Sequence, residues 1–275
     1  TRSAWRGRPT SSGGLTMHVP GRLRQEHADW KWEATWRSAP WAVTFRLRHR
    51  RGALRFLKLV EVGREPSPRG EAERLRWASN HLPVPSVVDS GSDGAVEWLL
   101  TEGLPGRDAT HQAWAGEPAR LVRALADGLR AFHRAPAGEC PFDFGLERAL
   151  ALAGDRLRAD LIDTARDFHP EFAHLSAAAA VRHLEEARPG SEDRVVCHGD
   201  YCAPNVLLSP AWAVVGFVDL GELGVADRWW DLAVATWSAT WNLGPGFEDL
   251  FLEAYGVERD EERIAYYRLL YDVVS

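Results

Sequence analysis

Methionine, lysine and cysteine are scarce in this chain. Its 275 residues include one Met and three Cys, and of its 33 basic residues only Lys31 and Lys58 are lysines. The cysteines (Cys140, Cys197, Cys202) are odd in number and lack metal-ligand spacing. That excludes a disulfide framework and a cysteine-held zinc, and points to a reduced, cytoplasmic protein. No apolar run approaches the ~18 residues of a membrane span, and the N-terminal stretch lacks the apolar core of a secretory signal. The net charge of −6, with no basic stripe along one helix, argues against nucleic acid as the main partner. No internal repeat is present.

What is there suits a folded catalyst. With 45% hydrophobic residues the chain can bury a full core, as one large domain or two lobes. Charge is unevenly placed. Residues 1–60 carry 13 Lys/Arg against 3 Asp/Glu, whereas residues 139–275 carry 25 Asp/Glu against 11 Arg. A basic N-terminal part tolerates a nucleotide polyphosphate, and an acidic C-terminal part attracts a cationic substrate.

Residues 1–16, rich in Arg, Ser, Gly and Pro, are expected to be disordered or to precede the natural start at Met17, the only methionine. From Trp30 to Val62 the alternation is that of strands, with a turn at Arg51-Gly52. A helix is predicted over 70–80, and short strands around 86–89 and 96–101. Beyond Gly103 helices are predicted over 117–134, 146–160, 176–188, 227–240, 246–255 and 260–273, with short strands at 194–197, 206–208 and 213–218. The expected architecture is α+β and bilobal: a small β-rich N-lobe (17–102) and a larger, mostly helical C-lobe (103–275).

The octet His198-Gly199-Asp200-Tyr201-Cys202-Ala203-Pro204-Asn205 is the most informative segment. A carboxylate behind His-Gly, on a loop between strands, can accept or orient a hydroxyl proton in line with a γ-phosphate. Asn205 offers an amide oxygen on the same loop, and Asp219 a hard carboxylate; both suit Mg²⁺, which prefers oxygen ligands combined with substrate phosphates. Lys58 can neutralise nucleotide phosphates, with Glu71 or Glu73 as its partner, and Phe56 on the same strand face can lie against adenine. His198 reads as a backbone hydrogen-bonding residue and Cys202 as loop packing. Asp231 either caps a helix or braces the catalytic loop through backbone N–H groups. Trp229, Trp230, Trp237 and Trp241 recur at helical spacing and read as core or pocket wall.

With these residues in hand, the chain resembles the aminoglycoside 3'-phosphotransferase family, whose fold is protein-kinase-like. The resemblance runs from about Met17 to the C-terminus. It is carried by CHGDYCAPN (197–205), GFVDLGELGVADRWWDLA (216–233) and YGVERDEERIAYYRLL (255–270), with EAERLRWASNHLPVPSVVDSG (71–91) and WLLTEGLPG (98–106) in the N-terminal part. It implies ATP and Mg²⁺ as cofactors and Asp200 as the catalytic base or hydroxyl-orienting residue. Asn205 and Asp219 are implied as the metal ligands, Lys58 as the phosphate contact and Glu71 as its ion-pair partner. Phe56 is implied to stack on adenine, and Thr101 and Gly103 to supply hinge bonds to the purine. Ser38 is implied as a phosphate-loop serine, although the hairpin there has no glycine.

On the acceptor side the resemblance implies Asp163, Asp167, Asp272, Ser275 and Glu222. Here the chain departs from the family pattern. Tyr271 stands where an acid is usual, and Glu222 and Trp237 where arginines are common. The expected activity is transfer of the γ-phosphate of ATP to a hydroxyl, the 3' position being implied, of a cationic aminoglycoside by a monomer or weak dimer, which confers antibiotic resistance. The three departures keep a kinase of another amino-bearing small molecule as the alternative. A nucleotide-binding pseudokinase is a third reading, against which the joint presence of Lys58, Asp200, Asn205 and Asp219 counts.

Overall fold

The structure, a computed structural model, describes residues 17–274. Residues 1–16, Ser275 and the side chain of Ser38 lie outside the described residues, and so do the expectations placed on them. The chain divides into two compact units. The first runs to Arg107 and takes back 207–211 and 215–221; the second holds 108–206, 212–214 and 222–275.

In the first unit a short helix α1 (Gly21–Glu26) precedes strands β1 (Trp30–Ala39), β2 (Ala42–His49) and β3 (Leu54–Glu61). Helix α2 (Pro68–Ala78) and strands β4 (Val87–Ser92) and β5 (Val96–Glu102) follow. The strands form one sheet in the order β1-β2-β3-β5-β4, each pair antiparallel. Alternation decides the two faces. Leu57 and Leu59 of β3, with Val96, Trp98 and Leu100 of β5, join Val43, Leu47 and Leu23 in one buried cluster. Phe56 and Lys58 therefore belong to the opposite face. Helix α2 starts where the sequence provides a cap. Ser67 Oγ accepts from the Gly70 N–H at 3.2 Å, and Pro68 opens the first turn, where its missing N–H costs nothing. The helix then packs on β5 and β4 through Ala72, Leu75 and Ala78.

The chain passes between the units through the short strands β6 (Arg107–Asp108), β8 (Val206–Leu208) and β9 (Val214–Phe217). The second unit contains helices α3 (Pro118–Phe132), α4 (Leu146–Arg158), α5 (Thr164–Asp167) and α6 (Ala177–Glu186). Strands β7 (Arg194–Cys197) and β10 (Gly224–Asp227) pair in it, and α7 (Arg228–Leu243), α8 (Glu248–Tyr255) and α9 (Glu261–Val274) complete it. Helix α3 is amphipathic, burying Leu121, Leu125, Leu129 and Phe132. Helix α7 is apolar nearly all round, every residue from Trp229 to Ala239 being buried. A helix of that kind belongs to a core, and α7 packs against α9 and α8.

The mixed α and β content and the division into a sheet-rich and a helix-rich unit agree with the sequence reading. Elements that periodicity does not announce are α1, α5, β6 and β10. Each is only two to six residues long, and β10 is a strand because its four residues pair with β7, Gly224 opposite Cys197 through Asp227 opposite Arg194. Among the described residues no helix is long and apolar enough to cross a membrane.

Leu57 is fully buried in the sheet cluster, whereas Val62, at the following turn, is exposed. Leu57→Ala is expected to cost about 2–5 kcal/mol in urea denaturation, against a change within about 0.5 kcal/mol for Val62→Ala.

Candidate active site

The first unit holds a group of candidate residues around its partly buried lysine. Lys58 Nζ lies 2.5 Å from Glu71 Oε2 and 2.5 Å from Asp219 Oδ1. Strand β3 fixes Lys58 between Thr44 of β2 and Leu99 of β5. The capped first turn of α2 brings up Glu71, which is buried. Asp219 follows β9 with φ of +65°, a left-handed conformation that Asp tolerates better than most residues and that marks a position held by its surroundings. Burial alone would push the Lys58 ammonium down, but the attraction of Asp219 and Glu71 outweighs it and the net direction is up. Burial pushes the Glu71 carboxyl up, opposed by Lys58. Lys58 thus lies between two acidic side chains, both of which favour its charged form.

A small cavity beside Lys58 and Asp219 is lined by Trp36, Thr44, Val60 and Pro66. Trp36, on β1, is an aromatic that the sequence reading did not single out; its β1 neighbours alternate without distinguishing it. Phe56 is partly buried on β3, opposite Arg46 and Thr101. One expectation for the purine needs correction: the Gly103 N–H donates to the Leu54 carbonyl at 2.7 Å, so it is not a purine donor in this arrangement. Thr101 lies inside the ladder, registered against both Phe56 and Val87.

The second unit builds the candidate catalytic loop, 198–205, between β7 and β8, and α7 holds it at three points. Asp231 accepts from the His198 N–H at 2.6 Å and from the Gly199 N–H at 2.9 Å. Trp230 Nε1 donates to the Gly199 carbonyl at 2.9 Å, and Ser238 Oγ accepts from the Ala203 N–H at 2.7 Å. Asp231 is therefore the loop brace, and the helix cap is Asp227, which accepts from the Trp229 N–H at 3.1 Å. His133 Nε2 adds a contact to Asp231 at 3.0 Å. Gly199 cannot be another residue. Its φ is +86°, and a Cβ there would fall 2.7 Å from the Glu222 carbonyl oxygen.

This scaffold presents a buried carboxylate. Asp200 Oδ2 accepts from Asn205 Nδ2 at 3.0 Å, and Oδ1 accepts from the Tyr271 hydroxyl at 3.0 Å. The Asp200 carbonyl accepts from Asn205 Nδ2 and from the Cys202 N–H. His198 Nδ1 accepts from the Asp200 N–H at 3.3 Å, and Cys202 is wholly buried.

His133, Cys197 and Asp231 also cluster, their ligand atoms within 4.8 Å of one another. Burial, with Asp231 and Asp227 nearby, pushes the Cys197 thiol well up, and it donates to the Asp227 carbonyl at 3.3 Å. The cluster is a hydrogen-bonded brace under the loop.

The acidic residues assigned to an acceptor have other work in this geometry. Asp163 caps α5 by accepting from the N–H groups of Ala165 and Arg166. Asp167 is buried, accepts from the Asp163 N–H at 3.1 Å and pairs with Arg166 at 2.8 Å. Asp272 is fully buried and holds His169, whose backbone N–H lies at 2.7 Å and Nδ1 at 2.5 Å. His169 stacks on Trp241 with ring centroids 4.4 Å apart and lies tilted against Trp237 at 4.0 Å, and Arg268 lies over Trp237 at 5.2 Å. What Asp272 presents is an oriented histidine and two tryptophans, not its own carboxylate. Periodicity could not show this, because the histidine comes from a segment far from α7 and α9 in sequence.

Asp231→Ala leaves two buried loop N–H groups without their acceptor. It is expected to cost at least about 3 kcal/mol in chemical denaturation and to raise amide exchange at His198 and Gly199.

Residues 35–267 match the family model described as the phosphotransferase enzyme family. An aminoglycoside 3'-phosphotransferase of Streptomyces fradiae is 41% identical over 209 residues, 73% of this chain and 77% of that protein. A streptomycin 3''-kinase of Streptomyces griseus is 34% identical, over 78% of this chain and 83% of its own length. Among solved structures, an aminoglycoside-3'-phosphotransferase of type VIII superposes with a TM-score of 0.84 at 35% identity, covering 92% of this chain and 96% of that one. An aminoglycoside phosphotransferase of Streptomyces rimosus, solved with ADP and streptomycin, matches with a TM-score of 0.77 at 28% identity, covering 92% of this chain and 96% of that one. With the catalytic loop, the braced lysine and these relatives together, the chain belongs to the phosphotransferase enzyme family and, within it, to the aminoglycoside 3'-phosphotransferases, enzymes that transfer phosphate to a hydroxyl group.

Proposed function

We propose that this protein is an ATP- and Mg²⁺-dependent kinase that phosphorylates the 3'-hydroxyl of an aminoglycoside and so confers resistance to it. The observation that carries the reading is the Asp200 carboxylate, oriented by a donor on each oxygen at the centre of a loop braced by α7. A carboxylate so held can accept the hydrogen bond of an acceptor hydroxyl, aim its oxygen at the γ-phosphorus, and take its proton as the P–O bond forms and ADP leaves. Lys58, kept charged by Glu71 and Asp219, is the cation for the nucleotide phosphates. Phe56 and Trp36 are the aromatic candidates on the nucleotide side.

The proposed metal ligands fit Mg²⁺ chemically. Asn205 turns its amide nitrogen to Asp200, which leaves the carbonyl oxygen as that side chain's ligand atom, and Asp219 supplies a carboxylate. A donor set of hard oxygens suits Mg²⁺, not zinc. When bound, the ion would neutralise charge developing on the phosphate oxygens.

For the acceptor, the excess of acid in residues 139–275 favours a cation. The commitment of Asp163, Asp167 and Asp272 to internal bonds favours a second acceptor class, another amino-bearing small molecule read by Glu222 and the His169–Trp237–Trp241 cluster.

ATP turnover by the purified protein is expected to rise with kanamycin or neomycin, to stop with EDTA and to return with MgCl₂. Asp200→Ala is expected to lower kcat by about 10²–10⁴-fold while ATP binding persists. Lys58→Ala is expected to raise KM for ATP more than for the aminoglycoside. Stimulation only by other amines would select the second acceptor class, and ATP binding without turnover on any acceptor would overturn the kinase reading.

A further inference from the structure

Every polar bond around Asp200 described above except one comes from the loop itself. The exception is the Tyr271 hydroxyl, which reaches Oδ1 from α9, 71 residues away in sequence. The phenol and the carboxylate are buried, at 1% and 2% exposure. Helix α9 gives Tyr271 no freedom to wander. Tyr266 donates to the Leu184 carbonyl at 3.0 Å, Tyr267 to Asp227 Oδ2 at 3.0 Å, Asp272 holds His169, and Arg156 donates to the Val273 carbonyl at 2.9 Å. The Tyr271 ring also packs edge-on against Trp237, with centroids 6.4 Å apart.

The terminal torsion of an aspartate is broad and roughly two-fold, so backbone bonds do not set the plane of its carboxylate. Two donors on opposite oxygens do. Asn205 fixes Oδ2, and rotation then remains open unless a second donor holds Oδ1. The second donor here is the phenol. A carboxylate oxygen that accepts one hydrogen bond keeps lone-pair capacity for another, so Asp200 stays able to receive an acceptor hydroxyl while its plane is held. Misplacing a reacting group by about 1 Å can cost about 10²-fold in rate.

We propose that Tyr271 is a positioning residue for phosphoryl transfer: its hydroxyl fixes the carboxylate plane of Asp200 in the orientation that receives the acceptor hydroxyl. This rests on Asp200 being the base or hydroxyl-orienting group. A positioning role of this kind places the effect of Tyr271 on turnover and not on binding. Tyr266 is the internal contrast. It is a buried phenol on the same helix whose hydrogen bond goes to a backbone carbonyl away from the loop.

The test compares the full-length wild type with Tyr271→Phe and Tyr266→Phe, using ATP, MgCl₂ and kanamycin, with a thermal melt on each protein. Tyr271→Phe removes one oxygen and keeps the ring. It is expected to lower kcat by about ten- to a hundredfold, the worth of one hydrogen bond to a charged group. KM for ATP and for kanamycin should stay within about twofold. Tyr266→Phe is expected to lower the melting temperature and leave kcat within about twofold of wild type. A kcat for Tyr271→Phe within that same range, an equal loss in Tyr266→Phe, or a rise in either KM that accounts for the loss would each overturn the proposal. Should Tyr271→Phe not accumulate as folded protein, Tyr271→Gln and Tyr271→Met pose the same question, because only the amide can donate to Asp200; equal kcat in the two would overturn it. A wild-type protein that turns over no ATP with any aminoglycoside would instead remove the proposed function itself, and the role of Tyr271 with it.

Discussion

The catalytic loop exists in its shape because one buried carboxylate, Asp231, accepts two consecutive backbone N–H groups from it. A loop that carries a positive-φ glycine and a buried carboxylate has few internal bonds to offer its own backbone. Without an outside acceptor, the His198 and Gly199 donors would be buried and unsatisfied, at about 1–3 kcal/mol each. Helix α7 supplies that acceptor, and on the same helix Trp230 and Ser238 supply two further contacts. This explains why α7 is buried nearly all round. It is a central post, and its burial is what makes its few polar groups rigid.

The two units solve the same electrostatic problem in different ways. In the first, a lysine is held between two carboxyl groups. In the second, a carboxylate is held by neutral donors, an amide and a phenol. Neutral donors orient Asp200 without neutralising it, which a lysine or arginine at the same place would do. The positively charged groups of α9 are directed elsewhere, Arg263 to Asp227 and Arg268 to Glu248.

Much of this was legible in the chain. The spacing of Asp200, Asn205 and Asp219, and the rarity of lysine, marked the residues on which phosphoryl transfer would rest. Alternation placed Lys58 and Phe56 on one strand face, and helical periodicity found α2, α3, α4, α6, α7, α8 and α9 to within a few residues of their ends. The misses have physical causes. Strand β10 is too short for a period and exists through pairing with β7. Gly103 looked able to serve a purine, but its N–H was taken by Leu54, a partner 49 positions away. Asp163, Asp167 and Asp272 were expected as acceptor ligands from the family resemblance, and the folded chain engages them as a helix cap, an internal ion pair and a clamp on His169.

The sequence by itself determined the reaction class, because phosphoryl transfer needs a particular set of side chains and that set is local enough to read in short segments. It also determined the fold class, since period and turn chemistry are properties of the chain. Only the tertiary structure decided which partner each polar group would take. Burial makes an unpaired donor or carboxylate costly, so each is claimed by whatever partner packing brings within about 3 Å. Tyr271 shows the difference most plainly. In the sequence it stood as a departure from the family pattern, and in the folded protein it is a hydrogen-bond donor to the Asp200 carboxylate, because α9 packs against α7 and carries its hydroxyl there.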